Sequence, residues 1–203
     1  MELEFRNGKI ILDKELSYYD IFVIDFIKQL NKHAIKYIVV SGYVVILFGR
    51  PRLTEDMDFL IEKTNFETFK KLWTSLMKKY ICLQTSSPDE AYNEYLLNGD
   101  AIRFSLKDKP LPNIEFKYIT KEHHFYSFRS RIKVILNGFE LFIGEIEHQI
   151  VYKLYMDSEK DLEDAKFLFN IFDRYIDLIK LDTHLKNYNI EKSKIRKYLK
   201  QNL

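Results

Sequence analysis

The run Asp56-Met57-Asp58-Phe59-Leu60-Ile61 sets two carboxylates one residue apart in a stretch that otherwise reads as a core strand. Strand side chains alternate between faces, so Asp56, Asp58 and Leu60 share one face and Met57, Phe59 and Ile61 the other. The apolar set anchors in a core. The aspartates, roughly 6.5 Å apart along the chain, then face either solvent, as an ordinary strand surface, or a cleft, as half of a metal site. An Arg-Pro-Arg turn, Arg50 to Arg52, stands just upstream, and before it an apolar run from Tyr37 to Gly49 carries the small pair Ser41-Gly42.

The surrounding chain supplies candidate elements for a mixed sheet. Ile21, Ile24, Ile27 and Leu30 recur at helical spacing, and "KYIVVS" is a short β-branched strand ending at Ser41. "YVVILFG" is ambiguous between buried strand and buried helix, because periodicity does not separate the two in so short a run. Phe66, Phe69, Leu72, Trp73 and Leu76 form one helical stripe, and "SPDEAYNEYLLNG" reads as a capped helix closing on Gly99. "DAIRFSL" and "NIEFKYI" read as strands separated by the turn "KDKPLP". "RIKVILN" and "FELFIG" read as a hairpin around Asn137-Gly138. From Glu145 onward the pattern is helical. The expected class is α+β: a mixed β-sheet portion with flanking helices over residues 1–144, then a helical portion, 145–203, packed on it.

With 203 residues, 46% of them hydrophobic and only six Gly and four Pro, the chain has the means to bury a sizeable core. A net charge of +2 makes no whole-chain electrostatic case for nucleic acid. The basic residues Lys192, Lys194, Arg196, Lys197 and Lys200 read as the solvated face of a terminal helix. Cys82 is the only cysteine, which excludes an intramolecular disulfide and a multi-cysteine zinc site. The charged N-terminal stretch does not resemble a signal peptide, and the longest apolar run is too short to span a bilayer. A soluble cytoplasmic location, with no membrane partner, is the expectation. The 14 Tyr and 16 Phe are expected in the core and the helix seams.

Two carboxylates on one strand face suit a hard divalent cation such as Mg²⁺, and two-metal chemistry asks for a third acid. Glu115, between Ile114 and Phe116 in a neighbouring strand candidate, is acidic on the alternate face. Ser41-Gly42 would end a strand where backbone approaches a ligand closely, with a following helix N-terminus open to phosphate. His123 and His124 are adjacent, so on a helix they diverge by about 100° and read as surface or packing residues rather than a metal pair. Lys153, Asp157 and Asp161, at four-residue spacing with Asp164 following, would make a polar stripe if one continuous helix carried them.

Taken together, Ser41, Gly42, Gly49, Arg50, Pro51, Arg52, Thr54, Asp56 and Asp58 resemble the signature of the nucleotidyltransferase superfamily, the DNA polymerase β-like fold. They are most similar to the small prokaryotic branch that includes the AbiEii-type toxins of toxin–antitoxin systems. Glu147, Lys153, Lys160, Asp161 and Asp164 match a second, helical element of those relatives. Ser41 stands where relatives usually have Gly, Glu115 where they have Asp, and Asp157-Ser158-Glu159 lacks an Arg often found before the second element.

The resemblance implies a fold, a reaction and roles. Asp56, Asp58 and Glu115 would bind Mg²⁺ or Mn²⁺ and form the catalytic set. Ser41, Gly42, Arg52, Thr54 and Lys153 would hold the NTP substrate, with Asp161 and Asp164 as further candidates. NMP would pass to a hydroxyl of RNA (a tRNA among the options), a protein or a small molecule, and a cognate antitoxin would be the partner of a toxin. Two alternatives stand beside it: a nucleotide-binding or interaction module with a degenerate site, and a carboxylate–metal nuclease.

Overall fold

In the computed structural model, which describes residues 1–199 with the side chains of Lys192 and Arg196 left aside, the chain opens on a hairpin of β1 (Glu2–Arg6) and β2 (Lys9–Asp13). Asn7 and Gly8 turn it at φ of 52° and 71°, the left-handed pair of a type I′ turn. The sequence expectations contain no such hairpin, although Asn-Gly between alternating apolar residues is its signal. Helix α1 (Tyr18–Lys32) follows behind a capping box in which Ser17 and Asp20 bond each other's backbone. Asp20 is fully buried and also accepts from Lys14 and from the Tyr43 hydroxyl, 2.8 Å away.

Strand β3 (Tyr37–Val40) leads into α2 (Gly42–Leu47), which resolves the ambiguous apolar run as a buried helix. Then come β4 (Asp56–Ile61), α3 (Phe66–Leu76) with an Asn65 cap, and a short β5 (Tyr80–Cys82). The turn α4 (Pro88–Glu90), capped by Ser87, runs into a π-helical segment, Ala91–Leu96. β6 (Ile102–Leu106) and β7 (Lys109–Tyr118) form a hairpin. The turn expected at "KDKPLP" is shorter than that. Pro110 and Pro112 lie inside β7, in a stretch where only Lys109 pairs with β6 before Asn113, so their missing N–H groups cost no ladder bond.

The segment "KEHHFYSFRS", for which no element was expected, contains helix α5 (Glu122–Arg129). β8 (Ile132–Leu136) and β9 (Phe139–Ile143) form the expected hairpin around Asn137-Gly138. The rest is helical: α6 (Ile146–Met156), α7 (Glu159–Phe172), α8 (Leu178–Asn187) and α9 (Lys192–Leu199).

Among the described residues one mixed sheet of nine strands runs in the order β1-β2-β8-β9-β3-β4-β7-β6-β5. Its parallel pairs are β2/β8, β9/β3 and β4/β7, and the remaining neighbours are antiparallel. Met57, Phe59 and Ile61 are at most 1% exposed. They enter the main core, where the rings of Phe26 of α1 and Phe59 stand 5.4 Å apart, edge to face. On the opposite face Ile38, Leu60 and Ile119 pack under Phe128 of α5 as a small second cluster. The fold class is therefore α+β, with helices against both faces of a mixed sheet. Among the described residues no helix is long and apolar enough to cross a membrane.

Lys153, Asp157, Asp161 and Asp164 do not lie on one continuous helix. Asp157 adopts φ +60° and ends α6, and Ser158 caps α7. A left-handed residue reverses the chain direction, so α6 and α7 pack face to face and their polar residues meet across the seam. In the basic C-terminal stretch, Lys194 bonds Asp157 and the Leu154 carbonyl, while Ile195 and Leu199 are buried. Lys200 and the side chains of Lys192 and Arg196 lie outside what is described.

Candidate active site

Sheet register assembles the acidic groups. Val40 of β3 pairs with Asp58 of β4, Asp58 with Glu115 of β7, and Glu115 with Arg103 of β6. Residues paired directly across strands point to one face, so this rung carries apolar, acidic, acidic and basic side chains in order. Asp56 lies on the next rung beside Asn113. The Arg103 guanidinium reaches both acids, 2.6 Å from Oε2 of Glu115 and 3.7 Å from Oδ1 of Asp56.

The turn above the rung is tightly built. Ser41 links β3 to α2 at φ 64°, ψ −130°, a conformation rare for a residue with a side chain and typical of functional turns. Gly42 follows, and a Cβ there would lie 3.1 Å from Thr54 Oγ1 and 3.2 Å from Arg52 Nη2. Any larger residue would have to push the Thr54 and Arg52 side chains back by a few tenths of an ångström. Thr54 in turn donates to the Asp56 carbonyl at 3.0 Å, and Tyr43 is tied through its hydroxyl to buried Asp20.

A cavity of about 470 Å³ opens over this face. Ser41, Gly42, Arg52, Thr54, Asp56, Asp58, Glu115, Lys153 and Asp161 all border it. Asp164 does not: it is fully buried behind the cavity and holds three cations. Its Oδ2 accepts from Arg52 and, at 2.6 Å, from Lys153, while Arg50 pairs with Oδ1 without hydrogen-bond alignment. Arg50 also pairs with Glu163, so Arg50 and Arg52 are staples from the loop to α7. Ser158 caps α7 by accepting the Asp161 N–H, and the Asp161 carboxylate accepts from Lys153 at 3.3 Å. Lys160 borders the cavity, whereas Glu147 turns away and accepts the Asp177 N–H.

The electrostatics separate these groups. Burial, then neighbouring Glu115, push the Asp58 carboxyl up to about 6, against the Ser41 hydrogen bond, with Asp56 adding further repulsion. Burial pulls the Lys153 ammonium down to about 8 even with Asp161 beside it. Among the described residues no three His, Cys, Asp or Glu side chains are grouped tightly enough to hold a metal ion as they stand; Arg103 bridges two of the acids. The donor set nonetheless fits a hard cation. It offers carboxylate oxygens alone, on one face of the sheet, and a cation there would offset the burial and the neighbouring Glu115 that raise the Asp58 carboxyl.

Arg103, beside the cavity, and Gln149, Tyr152 and Met156, which border it, escaped sequence reasoning. Arg103 alternates with Ile102 and Phe104, and pairing "DAIRFSL" with "NIEFKYI" would have set it opposite Glu115. Gln149, Tyr152, Lys153 and Met156 form one stripe of α6 that borders the cavity, a spacing visible in the sequence. His123 and His124 also border it. They are neither plain surface residues nor, among the described groups, part of a metal cluster.

No family model matches the chain and no curated protein matches it. Solved structures do. An antigenic nucleotidyltransferase-like protein from Paracoccidioides brasiliensis superposes with a TM-score of 0.57 at 16% identity, covering 90% of this chain and 92% of that one. ANT(2")-Ia, solved in complex with adenylyl-2"-tobramycin, superposes with a TM-score of 0.55 at 11% identity, covering 85% and 98%. At such identity the likeness is one of fold: the chain has a nucleotidyltransferase-like fold over most of its length.

Proposed function

We propose that the chain is a metal-dependent nucleotidyltransferase that moves NMP from an NTP to a hydroxyl acceptor. The observation that carries this reading is the shared rung of Asp58 and Glu115, with Asp56 on the next rung and Ser41-Gly42 packed against Arg52 and Thr54 above it. The reaction forms a bond from the acceptor oxygen to the α-phosphorus and breaks the bond to the β-phosphate, so pyrophosphate leaves. Asp56, Asp58 and Glu115 would hold Mg²⁺ or Mn²⁺, which when bound supplies charge neutralisation on the phosphates. Lys153 and Arg52 orient the triphosphate as fixed cations, the Ser41 hydroxyl and the Gly42 backbone approach it closely, and Thr54 holds the loop in place. Glu115 takes the acceptor proton at Oε1, because Oε2 is engaged by Arg103. Asp164 and Asp161 act through Arg52 and Lys153, which they position.

On this reading the chain divides at Gly144 into a catalytic α/β portion, 1–144, and a helical portion, 145–203, that completes the site with Lys153 and Asp161. The run Gly49 to Asp58 supports a place near the AbiEii-type toxins, and with it a toxin role, an antitoxin partner and a cytoplasmic setting. The acceptor is then a hydroxyl of RNA such as tRNA, of a protein or of a small molecule; ANT(2")-Ia, of similar fold, is seen with adenylylated tobramycin. Arg103 favours a second reading, a nucleotide-binding module without turnover, since its guanidinium already pairs with Glu115 and lies 3.7 Å from Asp56.

Incubation with each α-³²P-labelled NTP, Mg²⁺ or Mn²⁺, and total RNA or lysate separates the readings. Label transfer that disappears in Asp58→Asn supports the transferase. Nucleotide binding without transfer to any acceptor supports the silent module, and RNA or DNA cleavage without added NTP would sink both in favour of a nuclease.

A further inference from the structure

At the end formed by α5 and α6, the cavity is bordered by His123 and His124 and by Gln149 and Tyr152. The rings of His123 and Tyr152 stack with centroids 5.6 Å apart and planes 23° from parallel. Gln149 is 5% exposed. Its Nε2 donates to the Gly144 carbonyl at 2.9 Å, which fixes the orientation of the amide. Its Oε1 is buried and has no hydrogen-bond partner among the described residues. A buried, fixed acceptor left unpaired is unfavourable and asks for a donor from a ligand. His124 Nδ1 is likewise buried without a partner. Burial and then the nearby His123, Lys117 and Lys121 hold His124 neutral, down to about 4, so its ring offers one donor and one acceptor.

The spacing suits one nucleotide. The Gly144 N–H donates to Val39, next to Val40 of the acidic rung. Strands lie about 4.8 Å apart and run in the order β9-β3-β4-β7, so the Gln149 anchor at the end of β9 stands roughly 10 Å from the strand of Asp58 and roughly 14 Å from that of Glu115. On α6, Gln149 and Lys153 are one helical turn apart, about 6 Å. A phosphate beside Lys153 and the carboxylates therefore leaves the attached base at the amide and the stacked rings.

We propose that this end of the cavity is the nucleobase subsite, with the His123–Tyr152 pair as its flat wall and Gln149 Oε1 as the acceptor that selects a base carrying an exocyclic amino group. The inference rests on the transferase reading above. Adenine, cytosine and guanine each offer an amino N–H, while uracil offers only its ring N3–H, flanked by two carbonyl oxygens that would crowd the fixed amide oxygen. A site built to receive a hydrogen bond discriminates strongly against analogues that lack the donor.

Calorimetric titration of the full chain, with Mg²⁺ present, tests the subsite without any turnover. ATP, CTP, GTP, UTP and purine riboside triphosphate, which lacks the amino group, serve as probes. UTP is expected to bind at least tenfold more weakly than the best amino-bearing nucleotide, and purine riboside triphosphate at least tenfold more weakly than ATP. Gln149→Leu, with a far-ultraviolet spectrum like that of the parent, is expected to shrink both differences below threefold. The wild-type series stands even where that variant does not fold, and Gln149→Asn, shorter by one methylene, is the second variant. Equal affinity across the probes, or a preference untouched in Gln149→Leu, overturns the subsite and leaves the transferase intact. Absence of any nucleotide binding overturns the transferase reading itself, and the subsite with it.

Discussion

Asp164 and Asp58 sit in the same molecule among the same residue types, yet their surroundings are opposite. Asp164 is fully buried and meets Arg50, Arg52 and Lys153, so positive charge exceeds its own. Asp58 is half-buried, borders the cavity, and has Glu115 and Asp56 as neighbours, with Arg103 the guanidinium nearest that acidic group. A saturated cluster holds elements together, here the Arg-Pro-Arg loop, α6 and α7. A cluster with surplus charge of one sign is unfavourable to the bare protein and becomes favourable only with a ligand of the other sign. The contrast assigns architecture to Asp164 and chemistry to Asp58.

The contrast breaks first at Asp164. Asp164→Asn removes the carboxylate shared by Arg50, Arg52 and Lys153 and leaves buried Arg52 without an ion pair, and it is expected to cost about 3–5 kcal/mol of stability, read by urea denaturation. A loss under 1 kcal/mol would show that the hub is not structural. Asp58→Asn should behave in the opposite way. Label transfer falls by about a hundredfold to a thousandfold, or ~3–4 kcal/mol of barrier, while stability holds or rises by about 1 kcal/mol because a repelled carboxylate is gone. A marked fall in the melting temperature would contradict it.

Lys153 belongs to both clusters, and pH separates its two roles. Its ammonium titrates near 8 rather than in the usual lysine range, because burial disfavours the charge. Triphosphate binding uses the protonated form. Affinity is therefore expected to be full below about 8 and to fall by about tenfold for each further pH unit above it. Lys153→Arg, which stays charged, should flatten the profile; an unchanged profile in that variant would remove Lys153 from the nucleotide site. The smallest effect on folding is expected at Arg103, part-exposed at 40%. Arg103→Gln should change stability by less than about 1 kcal/mol, yet tighten Mn²⁺ binding in a calorimetric titration, since a competing guanidinium is gone. Weaker Mn²⁺ binding would mean that Arg103 supports the acids rather than shielding them.

Much of the sheet was legible because strand periodicity is a local property. The alternation in β4, the Asn137-Gly138 hairpin and the caps at Ser87 and Gly99 follow from residue chemistry within a few positions. The first hairpin was equally local, and its Asn7-Gly8 turn went unread. Elements decided by burial were harder. The run after Ser41 is a helix because α2 is enclosed on every side, and no pattern inside six residues says so. Helix α5 has a mixed face whose few buried members, Ser127 and Phe128, give little periodicity.

By itself the sequence determined which side chains share a face. Asp56 and Asp58 are two apart, Glu115 alternates with Ile114 and Phe116, and Gln149 and Lys153 are one turn apart, whatever packs around them. Only the tertiary structure decided which faces meet. Strand register set Asp58 beside Glu115 and Arg103 beside Glu115, and the left-handed Asp157 folded α7 back so that Lys153 reaches Asp164. The physical reason is range. Side-chain direction is set by a residue's own dihedral angles, whereas the burial and charge balance of a carboxylate depend on neighbours brought in from as far as 112 positions along the chain, as Arg52 is to Asp164.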